Sequence, residues 1–215
     1  MVQTVWIARH GNRIDFVNPD WFNTAERPYD PHLSDDGIVQ AQQLAKHLVG
    51  QEITQIFASP FLRTVQTAAW VAEALDLPLK LDWGLGEWLN PEWMSTFPET
   101  LLLEQLAAQF PRITLNHPGG APEYPETWDQ CLKRTGATTK RLVEAFPEDN
   151  LLLVGHGASV VGAAKALAPM ALQDFQLKVP LCSLFKLVRH HPEWQVELTA
   201  DTAHLGQHET TIRWN

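Results

Sequence analysis

Three short apolar segments constrain this chain most: Thr4 to Ala8 (Thr-Val-Trp-Ile-Ala), Ile53 to Ala58, and Asn150 to Val154. Their length and their β-branched, aromatic and leucine content predict buried strands. Between them lie segments of helical character. Ser34-Asp35-Asp36-Gly37 reads as a helix start, with Ser34 as the N-cap and acids in the first turn. Ile38, Ala41, Leu44, Ala45 and Leu48 then form one apolar face to about Val49. Further helices are expected from Phe61 to about Leu75, near 99–109 and 126–146, and from Ala158 to about Leu167. Leu77 to Leu81 reads as a short strand. Cys182 to Val188 and Gln195 to Thr199 read as late strands, a hairpin at one sheet edge. Strands alternating with helices make an α/β fold with a mostly parallel sheet.

The residues just beyond each strand carry the chemistry. The first strand runs into Arg9-His10-Gly11, with Arg13 close behind; the second is followed by Arg63, early in its helix; the third runs into Gly155-His156-Gly157. Ligands of open α/β sheets bind at the C-terminal strand edge. If these strands are neighbours, two histidines and three arginines converge there. Arginine forks bind phosphate oxygens bidentately, and helix starts add N–H donors. A neutral imidazole among arginines is a nucleophile near neutral pH, which assigns His10 the attack on phosphorus. The arginines should hold it neutral, and Gly11 should let backbone and phosphate approach closely. Arg9, Arg63 and His156 would stabilise the oxygens in transit.

Two stretches break the alternation. Residues 12–33, with three prolines, predict a long ordered loop. Residues 83–128, including a Pro/Gly-rich run at 111–125, predict a lid over the sheet's C-terminal edge within one domain spanning 1–215. Glu87, in Gly84-Leu85-Gly86-Glu87-Trp88, lies in that lid. Trp83 and Trp88 would desolvate it and raise its pKa towards that of a general acid; Glu92 is the nearest substitute.

A formal net charge of −9 and a pI near 5.4 argue against non-specific binding to nucleic acid or to an anionic membrane. They leave room for a small phosphorylated substrate in a local positive pocket. No apolar run reaches the ~18 residues of a membrane span. Met1-Val2-Gln3-Thr4 lacks the basic region of a signal peptide, and Cys131 and Cys182 are isolated in sequence. A cytoplasmic protein is expected, with a homodimer left open.

The three motifs together resemble the histidine phosphatase superfamily, the phosphoglycerate mutase-like proteins. Arg9-His10-Gly11 is similar to its signature, Ser59 to Ala68 (Ser-Pro-Phe-Leu-Arg-Thr-Val-Gln-Thr-Ala) to its second arginine motif, and Val154-Gly155-His156-Gly157 to its second histidine motif. Glu87 falls where branch 1, with its cofactor-dependent mutases and many phosphatases, keeps its proton donor. The resemblance implies a three-layer α/β/α sandwich and a phosphohistidine at His10 that water hydrolyses, with no cofactor and no metal.

The loop is more specific. Asn12-Arg13, Asp15 to Trp21 and Arg27-Pro28-Tyr29-Asp30-Pro31 resemble the subgroup of the UBASH3 phosphatase domains, the ecdysteroid-phosphate phosphatases and a fungal transcription-factor subunit domain. There an arginine at the position of Arg13 contacts phosphate. Mutases carry a Ser and a Trp-Asn pair in this loop, so the departure favours phosphatase over mutase. The expected function is a metal-independent phosphomonoester phosphatase, with a phosphoglycerate-type mutase and a non-catalytic binding module of the same fold as alternatives.

Other signals have plainer readings. Trp21, Trp83, Trp88 and Trp93 either pack the lid or wall a pocket for an apolar leaving group. His204 and His208, four apart, lack a third metal ligand and read as surface residues. So does His190-His191, in the expected hairpin turn. Ser159 is not in a GxSxG elbow.

Overall fold

The computed structural model describes residues 2–115, 122–175 and 178–206. The chain opens with β1 (Thr4–Arg9), buried from Val5 onward. A loop comes next, with a 3-10 turn at Ile14–Phe16 and a short helix α1 (Trp21–Thr24). Helix α2 (Asp35–Leu48) starts at Ser34, whose hydroxyl accepts from the Gly37 N–H as expected of an N-cap. Then come β2 (Gln55–Ala58) and α3 (Leu62–Leu75). Asp76 ends α3 in the left-handed region (φ 55°), and its N–H reaches the carbonyls of Ala72 and Glu73. After β3 (Leu79–Leu81) come a 3-10 turn at Trp83–Leu85 and then an irregular stretch up to α4 (Leu103–Gln109). Helix α5 (Trp128–Ala145), β4 (Leu151–Gly155), α6 (Gly157–Leu167), β5 (Leu184–His190) and β6 (Glu193–Asp201) complete the fold.

The six strands form one sheet in the order β3-β2-β4-β1-β5-β6. The first four are parallel; β5 and β6 add an antiparallel hairpin at one edge. Side chains alternate between faces. Trp6, Ala8, Leu152 and Val154 pack with Leu44, Val65 and Ala68 of α2 and α3. Val5, Ile7, Leu151 and Leu153 pack with Leu142, Val160 and Val161 of α5 and α6. Burial on both faces explains why the central strands read as continuous apolar runs. The molecule is a three-layer α/β/α sandwich. No helix among the described residues is long and apolar enough to cross a membrane.

Register positions the site. Arg9 pairs with Gly155, and Ala8 and Ala58 both pair with Val154. The next residues along each strand, His10, His156 and Ser59, therefore leave the sheet side by side. Several expected boundaries shift, among them the strand expected from Ile53, which starts at Gln55. The helix near 99 starts at Leu103, because Leu102 is extended and its N–H is capped by the Gln105 side chain. The strand at 77 starts at Leu79, because the Leu77 N–H closes the end of α3 on the Ala72 carbonyl. The strand at 182 starts at Leu184, because Cys182 occupies a turn with φ 56°. Residues 116–121 of the Pro/Gly-rich run lie outside the described residues.

Candidate active site

The first strand end holds His10 rigidly. Its N–H donates to the Gly155 carbonyl (3.0 Å), and its carbonyl accepts from the Cys182 N–H (2.9 Å). The ring Nδ1 lies 2.7 Å from the Gly11 carbonyl oxygen. A carbonyl only accepts, so Nδ1 carries the proton and the lone pair is on Nε2. That Nε2 is buried and has no hydrogen-bond partner among the described residues. Burial first, then the charges of Arg63 and Arg9, pushes the imidazolium well below its usual range. His10 is therefore neutral, as expected, but more from desolvation than from the arginines.

Gly11 also has a packing part that the sequence did not announce. A Cβ there would stand 2.6 Å from the Gly37 carbonyl oxygen. Its missing side chain lets the loop pack against the start of α2, and its N–H donates to Thr67 Oγ1 (3.2 Å).

The three arginines gather around His10. Arg9 donates to the Val179 carbonyl (2.6 Å). Arg63, on the first turn of α3, reaches the Tyr29 carbonyl and Glu87 Oε2, each at 3.4 Å, and its Nε has no partner among the described residues. Arg13 lies over the Phe16 ring at 4.3 Å and pairs with Asp15, Nε to Oδ1 2.9 Å. Burial lowers Arg9 and Arg63 to about 10, which leaves both cationic near neutral pH. Sequence reasoning did not single out Asp15 or Asp30. Asp30 accepts from the Leu62 N–H (2.7 Å) and caps the start of α3 beside Arg63. Three guanidinium groups thus face three carboxylates, Asp15, Asp30 and Glu87.

The third strand end brings in His156, whose ring lies 5.3 Å from that of His10, edge to face. Ser59 Oγ, 2.9 Å from His156 Nε2, was also missed as a site residue, although it opens the arginine motif. The Phe61 N–H donates to Ser59 Oγ (3.5 Å), and with the imidazole proton on Nδ1, the nitrogen that faces the Glu87 carboxylate, Nε2 accepts from the Ser59 hydroxyl. Nδ1 stands 3.3 Å from Glu87 Oε2. Burial brings His156 down to about 4 despite that carboxylate. Ser159 Oγ accepts from the His156 N–H (2.7 Å) and caps α6.

Glu87 departs from expectation. Burial raises its pKa, but His156, Arg63 and Arg13 together outweigh burial and hold the carboxyl well below its ordinary range. Trp83 packs on Phe61 and Phe97. Glu92, the substitute, is exposed.

Above this floor opens a cavity of about 450 Å³ lined by Arg9, Glu87, Trp88, Trp93, Trp128 and the start of α6. The Trp88 ring meets Trp93 at 4.9 Å and Trp128 at 5.1 Å, both edge to face. The tryptophans thus divide: Trp88 and Trp93 wall the cavity with Trp128, whereas Trp83 packs inward and Trp21 packs on His32.

His10, Glu87 and His156 offer ligand atoms within 4.8 Å of one another, the only such metal-type group among the described residues. Arg9, Arg13 and Arg63 surround it, and their charge opposes a divalent cation. His204 lies half-buried against His47, not at the surface, with ring centroids 5.4 Å apart; His208 is outside the described residues. Both cysteines are buried thiols.

Over residues 5–202 the sequence matches the family model of the histidine phosphatase superfamily (branch 1). It is 29% identical over 188 residues to the transcription factor tau 55 kDa subunit of Saccharomyces cerevisiae, covering 78% of this chain and 41% of that one. The chain thus spans well under half of that relative's length. It is 30% identical over 213 residues to the "Probable phosphoglycerate mutase GpmB" of Yersinia pestis (strain Pestoides F), covering 94% of each. The ecdysone phosphate phosphatase from Bombix mori, in complex with tungstate, superposes with a TM-score of 0.76 at 20% identity, over 99% of this chain and 98% of that one. By the extent of the family match, this chain belongs to branch 1 of the histidine phosphatase superfamily.

Proposed function

We propose that this protein is a metal-independent phosphomonoester phosphatase that works through a phosphohistidine on His10. One observation carries the reading: the proton of the buried imidazole is tied to the Gly11 carbonyl, and its Nε2 lone pair is unpartnered among guanidinium groups. In the first step Nε2 forms a bond to phosphorus while the ester P–O bond breaks. Arg9, Arg13, Arg63 and neutral His156 hold the phosphoryl oxygens. The leaving oxygen takes a proton from Glu87. In the second step Glu87 removes a proton from water, whose oxygen attacks phosphorus. The N–P bond breaks and inorganic phosphate leaves.

Glu87 is ionised in the free protein and must be loaded before the first step. The near balance of guanidinium and carboxylate charge supplies the means. A phosphate dianion entering that balance adds negative charge beside Glu87 and raises its proton affinity. The same carboxylate, deprotonated after the first step, is the base for the second.

The cavity supports a phosphatase over a mutase. Arg9 is the one cation among its described lining residues, so the carboxylate of a phosphoglycerate finds little there beyond the phosphate's own arginines. Three tryptophans favour an apolar or aromatic leaving group. The test compares hydrolysis of p-nitrophenyl phosphate in EDTA with transfer between 2- and 3-phosphoglycerate. Robust EDTA-resistant hydrolysis with little transfer is expected. Dominant transfer would replace the reading with a mutase, and loss of activity on chelation would replace it with a metal-dependent site.

A further inference from the structure

We propose that Arg134, together with Glu126, is a positioning residue that sets the Glu87 carboxylate and the tryptophan wall; this rests on Glu87 acting as proton donor. Arg134 lies on α5, and its backbone contacts serve the segment between β3 and Leu89. Nη1 donates to the carbonyls of Trp83 (3.2 Å), Gly84 (3.0 Å) and Gly86 (3.3 Å), and Nη2 donates to that of Glu87 (3.0 Å). The other face of the guanidinium forks onto Glu126, Nε to Oε1 and Nη2 to Oε2, both at 2.7 Å.

Glu126 completes the device. Its carbonyl accepts from the Trp88 indole (2.8 Å), and its N–H donates to the Leu89 carbonyl (3.0 Å). Two residues eight apart in sequence thus hold the backbone on both sides of Glu87, and Trp128, two residues past Glu126, packs on Trp88. The arrangement needs a guanidinium. Five N–H donors in a planar fork reach a carboxylate and four carbonyls at once, whereas a lysine ammonium has three donors and no fork. Segment 83–87 is one short 3-10 turn, Trp83–Leu85, with two irregular residues after it, and its carbonyls in this partly buried place use such donors. Without them the Glu87 backbone loses the anchor that keeps its carboxylate 3.3 Å from His156 and 3.4 Å from Arg63. The hydrogen bonds of Arg134 and Glu126 run to this segment, to each other and, from Arg134, to Cys131 Sγ (3.6 Å), rather than to the His10 ring, so their effect on the site passes through Glu87 and Trp88.

The experiment measures kcat/KM, which reports the first step, for p-nitrophenyl and phenyl phosphate in wild type, Arg134→Ala and Arg134→Lys. Loss of a placed general acid penalises the poorer leaving group. Arg134→Ala is expected to lower the phenyl-to-p-nitrophenyl ratio by about tenfold, part of the roughly hundredfold or more that a placed general acid contributes. Guanidinium in the millimolar range is expected to restore part of that ratio, and Arg134→Lys to lie between the two. If Arg134→Ala does not fold, Arg134→Lys carries the comparison, because it keeps charge and bulk. A uniform loss on both substrates, or an unchanged ratio, overturns the positioning role while leaving the phosphatase reading intact. A wild type that hydrolyses neither ester overturns both, since there is then no acid to position.

Discussion

Glu87 and His156 face each other with Oε2 3.3 Å from Nδ1, both side chains buried. Under the proposed mechanism, this pair would let one carboxyl serve two steps. Neutral His156, fixed by Ser59 on its far nitrogen, presents an N–H towards the carboxylate, and Arg63 adds its charge from the other side. These donors favour the anion, and in the proposed mechanism an incoming phosphate would compete for them.

Replacing Glu87 separates the two steps. Glu87→Gln keeps the shape and removes both acid and base. In the first step kcat/KM for phenyl phosphate is expected to fall by about a hundredfold or more, and that for p-nitrophenyl phosphate to fall less. In the second step the phosphohistidine is expected to accumulate, seen as a burst of p-nitrophenol in rapid-mixing experiments. Equal slowing of both esters without a burst would remove Glu87 from both roles.

The buried histidines make stability depend on pH. His10 and His156 bind protons less readily when folded than the ordinary value of 6.5, His156 at about 4. The unfolded chain therefore holds more protons below pH 6.5, and stability falls as pH drops from about 6.5 towards 4. Each histidine contributes a slope of up to about 1.4 kcal/mol per pH unit. Glu87 adds to this only below about pH 5, where the unfolded carboxyl begins to take up protons that the folded one, with its lowered pKa, does not. Denaturant titrations of wild type and His156→Asn at several pH values test this. The variant's stability should change less between pH 7 and 5; parallel curves would contradict a neutral buried His156.

On the proposed function, the cavity wall would set the affinity for the leaving group. Trp128→Ala removes one of three tryptophans and is expected to raise KM for phenyl phosphate about three- to tenfold, the worth of an aromatic contact. Inhibition by inorganic phosphate should not change, since phosphate reaches only the arginines and histidines. Weakened phosphate inhibition would mean that the wall shapes the phosphate site itself.

The strands and the residues at their ends were legible in the sequence, because a buried strand and its C-terminal neighbours are contiguous. Val5 to Ala8 followed by Arg9 and His10, and Leu151 to Val154 followed by His156, need no long-range information. The hairpin after Cys182 and the Ser34 cap were legible for the same local reason. Glu87 could be located but not its ionisation, which depends on Arg63 and His156 from other elements outweighing burial. Gly11 was assigned to phosphate, yet its close neighbour is Gly37, 26 positions on. Asp30 caps a helix 32 residues away, and Ser59 reaches a histidine 97 residues away. Arg134 meets carbonyls about 50 positions earlier, contacts with no local pattern to announce them.

The most direct test of the account is to trap the intermediate. Wild type and Glu87→Gln, mixed with p-nitrophenyl phosphate and quenched in alkali, should carry one acid-labile phosphoryl group. Peptide mass spectrometry should place it on His10, and His10→Ala should show neither adduct nor turnover. A phosphoryl group on another residue, or substantial hydrolysis by His10→Ala, would contradict nucleophilic attack by the Nε2 that the Gly11 carbonyl leaves available.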